Sequence, residues 1–290
     1  MTEQSNYLVA LARRVVQPYT QLPTCRAAMV TGSAAKGLSD NYSDLDLTIY
    51  YDAELPREDE LTLIRQQHGA ADRKWLLGDR AEGGFAEAYD LHGIEVQIGH
   101  TTLANWEADI DKVLVALDCD SPLQKAMEGT LACQALYGEA YIQQWQARLA
   151  VYPPALAEAM VKKHLAFFPI WGLEPHFRTR NATIWYYQTL VEAAQNLVGV
   201  LAGLNHLYFT TFQFKRMGRF FQQMAIAPSN LAVRMERLFN SDQPAALAEV
   251  EALVAETVTL VETYMPTIDT TRAKRRLGWR QQPWQQSVVA

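Results

Sequence analysis

Residues 30–51 read VTGSAAKGLSDNYSDLDLTIYY, and this stretch decides the predicted fold. The order of apolar, small and polar residues predicts a β-strand, a Gly-Ser turn, a short helix and a second strand over residues 44–51. Because side chains alternate along a strand, Asp44, Asp46 and Thr48 are expected on one face and three apolar side chains on the other.

The two carboxylates on this strand indicate a cation site. Side by side they repel each other, and such a pair is costly unless a cation neutralises it. Mg²⁺ prefers oxygen ligands and also binds substrate phosphates. In the turn before the strand, Gly32 allows a ligand to approach the backbone, and Ser33 offers a hydroxyl group at a helix start. We therefore predict that Asp44 and Asp46 bind Mg²⁺ beside a phosphate-binding turn.

The Gly-Ser turn and the Asp-x-Asp pair, with ten residues between Ser33 and Asp44, resemble the signature of the polymerase-β-like nucleotidyltransferase superfamily. The layout is most similar to that of aminoglycoside and lincosamide nucleotidyltransferases with a helical C-terminal domain. The resemblance is strong over residues 27–100 and only architectural beyond them. It implies two Mg²⁺ ions, ATP as the donor, and transfer of AMP to a hydroxyl group with release of pyrophosphate. A role in antibiotic resistance follows from this analogy alone.

The superfamily uses a third acid on a neighbouring strand, and Glu95 matches that position. Two apolar-alternating segments around His92-Gly93 predict a β-hairpin, and Glu95 and Gln97 share one face of its second strand. The resemblance implies that Glu95 binds the acceptor-side metal ion or accepts the proton of the attacking hydroxyl group.

Two other acids of this hairpin remain as alternatives for the third position. Glu87 and Asp90 belong to its first strand and are three residues apart, so they are expected on opposite faces.

The resemblance also assigns residues that bind the nucleotide. Gly32 and Ser33 are expected at the β- and γ-phosphates, and we place Lys36 and Ser43 in the same site. Lys215, from the helical half, is expected to close over the triphosphate. A cation is needed there because negative charge shifts to the leaving pyrophosphate.

An aromatic and acidic patch in the helical half is a candidate for acceptor binding. Trp185 and Glu192 belong to it, and they could bind a cationic small molecule by cation–π contact and charge-assisted hydrogen bonding. Aromatic residues at helical spacing also fit an ordinary core, so the alternative of a packing role stays open.

The elements divide the 290-residue chain into an α+β protein. Residues 1–105 are predicted to form a nucleotidyltransferase domain with a small mixed β-sheet. Residues 106–266 are predicted to form an all-α substrate or lid domain, and residues 267–290 a C-terminal tail. The helices predicted after the hairpin cover residues 103–117, 122–136, 139–150, 154–168, 180–204, 229–239 and 244–263.

Composition narrows the class of protein. A content of 49% hydrophobic and 20% charged residues is that of a globular protein. The formal net charge of −6 argues against a main role in gripping duplex nucleic acid. Three cysteines without C-x-x-C spacing favour a reducing cytoplasm, and we expect neither a signal peptide nor a membrane span.

Two other functions fit the same motif. One is nucleotidyl transfer to a macromolecule, a partner protein or a tRNA. The other is a regulatory module that binds a nucleotide without catalysis. The large helical half favours a small acceptor, and the presence of all three acids favours catalysis.

Overall fold

The computed structural model describes residues 1–70, 72–120, 122–211 and 214–284. The protein is α+β, as the sequence predicts. It divides into two compact units. The first contains residues 1–116 and 123–151, and the second contains residues 117–122 and the chain from residue 152 onward.

The first unit is built on a six-stranded mixed sheet with the order β3–β4–β5–β2–β1–β6. Its strands are β1 (Cys25–Val30), β2 (Leu45–Tyr51), β3 (Trp75–Asp79), β4 (Gly84–Leu91), β5 (Ile94–Thr102) and β6 (Gln134–Tyr137). Strands β2 and β5 are parallel, and the other neighbouring strands are antiparallel. Its helices are α1 (Glu3–Val16), α2 (Gly32–Ala35), α3 (Glu58–Gln67), α4 (Leu103–Leu114), α5 (Leu123–Leu131) and α6 (Glu139–Leu149).

The alternation predicted for β2 is confirmed. Leu45, Leu47 and Ile49 are buried in the core, whereas Asp46 and Thr48 between them are half-buried. Because the apolar face of β2 packs into the core with apolar residues of α1 and α3, the opposite face carries the polar side chains.

The hairpin predicted around His92-Gly93 is also confirmed. Strands β4 and β5 pair antiparallel, with Leu91 opposite Ile94. His92 and Gly93 have φ values of 55° and 79°. Two consecutive residues with positive φ are typical of the type I′ turn, whose twist matches that of the flanking strands.

Two edge strands were not predicted. The helix expected over residues 122–136 ends at Leu131, and β6 follows it and pairs with β1. Strand β3 pairs with β4 at the opposite edge. Both strands are short. Strand β3 is mostly exposed and β6 mostly half-buried, and neither has the apolar alternation by which a strand with one buried face is recognised.

The second unit is helical. Its helices are α7 (Pro154–His164), α8 (Glu174–Thr179), α9 (Thr183–Leu204), α10 (Met217–Phe221), α11 (Leu231–Asn240), α12 (Gln243–Tyr264) and α13 (Thr271–Arg276). Gly199 of α9 allows close packing on α7, because a methyl group there would overlap the His164 ring. Among the described helices, none has both the length and the apolar composition needed to cross a bilayer.

The C-terminal tail, predicted over residues 267–290, contains α13. Trp279 packs against Gly172 of the same unit, whereas Trp284 is 82% exposed. Residues 285–290 lie outside the described part of the chain.

The compact units are divided differently from the predicted domains. Helices α4 to α6 belong with the sheet, whereas the sequence boundary at residue 105 assigned them to the helical domain. The reason is that β6 completes the sheet edge and that Trp145 of α6 packs on Tyr50 of β2, with ring centroids 4.4 Å apart.

Candidate functional site

The carboxylate pair lies where β2 begins. Asp44 immediately precedes the strand, Asp46 is its second residue, and both side chains are half-buried. The backbone N–H of Thr31 donates to the Asp46 carbonyl oxygen at 3.0 Å, which places the turn after β1 beside the pair.

Gly32 is required at this turn for two reasons. Its φ of +61° lies in the left-handed region that favours glycine. In addition, a methyl group on Gly32 would overlap Oδ2 of Asp46. The Gly-Ser turn and the second acid of the Asp-x-Asp pair are therefore in direct contact.

Because β2 and β5 are parallel, their pairing brings Glu95 to the same end of the sheet as the Asp pair. Asp46 is opposite Gln97, and Leu45 is opposite Val96. The Gln97 amide Nε2 donates both to Asp44 Oδ2 at 3.1 Å and to Glu95 Oε1 at 3.0 Å. Gln97 thus connects the first acid to the third.

Glu95 is held by three donors of the protein. Lys74 Nζ donates to Glu95 Oε2 at 2.8 Å, and Trp75 Nε1 donates to Oε1 at 3.2 Å, in addition to the Gln97 bond. The Lys74 ammonium is the main cause that lowers the pKa of Glu95, and the Trp75 and Gln97 bonds act in the same direction. A carboxylate with a lowered pKa is a weak proton acceptor.

The two alternatives for the third acid lie on opposite faces of β4. Asp90 is directly opposite Glu95 and shares Lys74 with it, at 3.2 Å. Glu87 is fully buried on the other face, where it binds Arg65 Nη1 at 2.6 Å and Arg73 Nε at 2.9 Å. Glu87 is therefore a structural acid, and Asp90 is a neighbour of the site.

Three residues predicted to bind the nucleotide have partners within the protein. The Ser33 and Ser39 hydroxyl oxygens are 3.0 Å apart, and the Ser43 hydroxyl donates to Asp40 Oδ1 at 3.1 Å. Lys36 Nζ binds the Glu128 carboxylate of α5, at 2.6 and 2.7 Å from its two oxygens. A phosphate at Lys36 would have to replace this ion pair or extend it.

The remaining predicted residues belong to the second unit. Lys215 is exposed just before α10. Trp185, on α9, contacts Phe177 with ring centroids 5.0 Å apart, and Glu192 is exposed two turns further along the same helix.

A cleft of about 420 Å³ opens on this unit next to Trp185. It is lined by aromatic and polar residues that include Phe177, Tyr186, Tyr187, Phe239 and Asp242. Trp185 and Glu192 themselves are outside its lining, so the acceptor site predicted from them and this cleft are neighbouring features of α9.

The Asp44–Asp46 pair fits Mg²⁺, because its carboxylates are hard oxygen donors and Gly32 leaves the space beside Asp46 free of a side chain. The third acid does not complete such a site in this structure. Across the described residues, no three His, Cys, Asp or Glu side chains are grouped so that they could hold a metal ion. Glu95 instead directs both of its oxygens to protein donors.

Lys74, Trp75 and Gln97 were not predicted as site residues. The alternation of β5 placed Gln97 on the face of Glu95, which is a signal that could have identified it. Lys74 and Trp75 precede or begin the unpredicted strand β3, so nothing in the local pattern connected them to Glu95.

No protein-family model and no curated protein sequence matches the chain. Among solved structures, it is similar to a nucleotidyltransferase-like protein from Exiguobacterium sibiricum 255-15, with a TM-score of 0.36 and 12% identity over 89% of this chain and 79% of that one. It is also similar to a tRNA-processing enzyme in an apo form, with a TM-score of 0.26 and 12% identity over 96% of this chain and 95% of that one. At these TM-scores, the likeness assigns neither a family nor an activity.

Proposed function

We propose that the protein is a Mg²⁺-dependent nucleotidyltransferase that moves AMP from ATP to a hydroxyl group of a small acceptor and releases pyrophosphate. One observation carries this proposal. Asp46 of β2 contacts the Gly32 turn, and Asp44, just before the strand, is linked through Gln97 to Glu95.

Each part of this arrangement has a role in the proposed reaction. Asp44 and Asp46 would hold the metal, which would neutralise triphosphate charge and lower the pKa of the acceptor hydroxyl group. The turn at Gly32 would bring backbone N–H groups close to the phosphates. Catalysis would then come from positioning and electrostatic stabilisation rather than from a covalent intermediate.

The sequence left two roles open for Glu95, and its surroundings favour one of them. A carboxylate with three N–H donors and a lowered pKa is a poor general base but a good metal ligand. We therefore propose that Glu95 binds the acceptor-side metal ion rather than accepting the hydroxyl proton.

The second unit is proposed to bind the acceptor. Its cleft of about 420 Å³ lies within the range of small-ligand pockets, about 300–1,000 Å³, and combines aromatic walls with Asp242. Such a lining suits a small molecule with hydroxyl and cationic groups. Aminoglycosides and lincosamides are acceptors of this chemistry and are the first to test.

The test is an adenylyl-transfer assay with α-labelled ATP and Mg²⁺. Acceptors are aminoglycosides, lincosamides, bulk tRNA and a cell lysate, and the wild type is compared with Asp46→Asn. We expect label on a small molecule, with pyrophosphate release, and no transfer by the variant at unchanged thermal stability. Normal turnover by Asp46→Asn would contradict the mechanism.

One observation favours a second candidate, a nucleotide-binding module without catalysis. Lys74, Trp75 and Gln97 occupy the oxygens of the third acid. ATP binding without transfer to any acceptor would support this candidate. Label on tRNA or on a protein would instead indicate a macromolecular acceptor, and binding of tRNA would weaken steeply with salt.

A further inference from the structure

Lys74 lies between two carboxylates that face each other across the β4–β5 pair. Asp90 and Glu95 are directly opposite residues, and like charges in this position destabilise a sheet. The Lys74 ammonium reaches both, at 3.2 Å from Asp90 Oδ1 and 2.8 Å from Glu95 Oε2. It therefore supplies the positive charge that this pair of acids requires.

We propose that Lys74 is an internal cation that competes with a divalent metal ion for Glu95, and that Asp90 retains Lys74 when Glu95 turns to the metal. The inference rests on the proposed function, because it concerns the metal site of Asp44 and Asp46. It explains why both Glu95 oxygens accept hydrogen bonds from protein donors although Glu95 lies beside the Asp pair.

The hydrogen bonds of Glu95 show which of its two oxygens would exchange Lys74 for the metal ion. Oε1 accepts from Trp75 and Gln97, whereas Oε2 accepts from Lys74. Gln97 also binds Asp44, so Oε1 is fixed toward the Asp pair. Releasing Lys74 leaves Oε2 without its donor, so the Glu95 carboxylate can turn and offer this oxygen to the metal ion.

The backbone allows Lys74 to move its side chain alone. Its N–H donates to the Ala88 carbonyl oxygen at 2.7 Å, which fixes the main chain to β4. The ammonium already contacts Asp90, so leaving Glu95 requires no new partner. The side chains of Lys74 and Asp90 are 42% and 45% exposed, and solvent therefore screens the interaction.

The size of the effect follows from this exposure. An exposed ion pair contributes little, so we expect loss of Lys74 to tighten metal binding by about two- to fivefold. The effect should shrink at high salt, because the competition is electrostatic and takes place near the surface.

The first measurement is a titration of full-length protein with Mn²⁺, followed by the electron paramagnetic resonance signal of the free ion. Lys74→Gln removes the competing cation. Lys112→Gln is the control, since it removes one positive charge from an exposed lysine that pairs with Asp109 elsewhere on the same unit. We expect tighter Mn²⁺ binding by Lys74→Gln than by Lys112→Gln. Equal or weaker binding by Lys74→Gln would overturn the inference.

Asp90→Asn tests the second half of the inference. Without Asp90, Lys74 has Glu95 as its remaining carboxylate at this site, so Mn²⁺ should bind about twofold more weakly. Removing a negative charge would also weaken binding directly, and a double-mutant cycle separates the two effects. If Asp90 acts through Lys74, the effect of Asp90→Asn is smaller in the Lys74→Gln background, where only the direct loss of charge remains. An undiminished effect there would contradict the retaining role of Asp90.

Failure of this inference can be distinguished from failure of the proposed function. Asp46→Asn should abolish Mn²⁺ binding whatever Lys74 does. If the wild type and Asp46→Asn bind Mn²⁺ equally, the proposed metal site is wrong and the inference falls with it. If Asp46→Asn loses Mn²⁺ while Lys74→Gln equals the wild type, only the role of Lys74 is overturned.

Discussion

Gly32 is required both by the backbone conformation of its turn and by the position of the Asp46 carboxylate. It needs a positive φ, and the space that a Cβ would fill holds Oδ2 of Asp46. We expect Gly32→Ala to lose about 1–2 kcal/mol of stability from the left-handed conformation alone. Displacement of the Asp46 carboxylate should add a further loss of stability and weaken Mn²⁺ binding. Urea unfolding and the Mn²⁺ titration measure the two effects.

Gly69→Ala is the matched control for this prediction. Gly69 has a φ of +67°, and nothing lies within 4 Å of a Cβ built on it. The control therefore carries the conformational cost without the overlap, and its Mn²⁺ affinity should equal that of the wild type. Equal behaviour of the two variants would show that the contact between Gly32 and Asp46 has no consequence.

The position of the Asp pair could be predicted from sequence because it depends on local alternation. The polar residues at the start of β2 are separated from one another by single apolar residues that the core buries. The partners of Lys36 and Glu95 could not be predicted, since they depend on contacts over long sequence separations. Lys36 binds Glu128, which is 92 residues away, and Lys74 binds Glu95 from a strand that was not predicted.

At the scale of elements, a buried ionic network joins α3 to β4 and β5. Glu87 of β4 is fully buried and binds both Arg65 of α3 and Arg73. His100 of β5 faces Glu87, with Nε2 at 3.6 Å from Oε1. A buried charge of this kind is costly unless each partner is present.

The network predicts a large effect of neutralising its acid. Glu87→Gln leaves two guanidinium groups with less negative charge and should cost about 3 kcal/mol in the free energy of unfolding. Asp52→Asn breaks the exposed pair of Arg26 and Asp52 and should cost less than about 1 kcal/mol. Urea denaturation of both variants measures this contrast, and equal small losses would show that the buried network contributes little.

The same network predicts how stability depends on pH. Burial lowers the pKa of His100 below its ordinary value of 6.5, with Glu87 acting in the opposite direction. The unfolded chain therefore takes up the proton first, so this contribution is complete above about pH 6.5 and is lost as pH falls. Uptake of one proton by His100 limits its contribution to this slope to at most about 1.4 kcal/mol per pH unit. Urea unfolding between pH 7.5 and 5.5 should show a smaller slope for His100→Gln, and an unchanged slope would contradict this assignment.

The central elements of the sheet were predictable, and its edges were not. Strand β2 and the β4–β5 hairpin have one buried face and a recognisable turn, which are local signals. Strands β3 and β6 are only five and four residues long, and neither has a fully buried face. Their conformation is fixed by pairing with a neighbouring strand rather than by their own pattern, and only the folded sheet reveals it.

At the scale of the whole molecule, the first unit contains every acid of the candidate site, whereas Lys215 belongs to the second. Metal binding and the contact of Lys215 with the triphosphate can therefore be tested separately. Metal binding should depend on the first unit alone. Any contribution of Lys215 to binding of the triphosphate requires both units.

The boundary of the first unit gives the last prediction. A fragment of residues 1–151 retains β6 and α6, whose Ile142, Trp145 and Leu149 are buried. A fragment of residues 1–105 lacks them, so it exposes an edge of β1 and the ring of Tyr50, and we expect it to unfold or aggregate. Circular dichroism and thermal unfolding should show a cooperative transition only for the longer fragment.

The fragment of residues 1–151 should bind Mn²⁺ like the full chain but bind ATP more weakly if Lys215 contacts the triphosphate. Equal ATP affinity in the fragment, the full chain and its Lys215→Gln variant would exclude that contact.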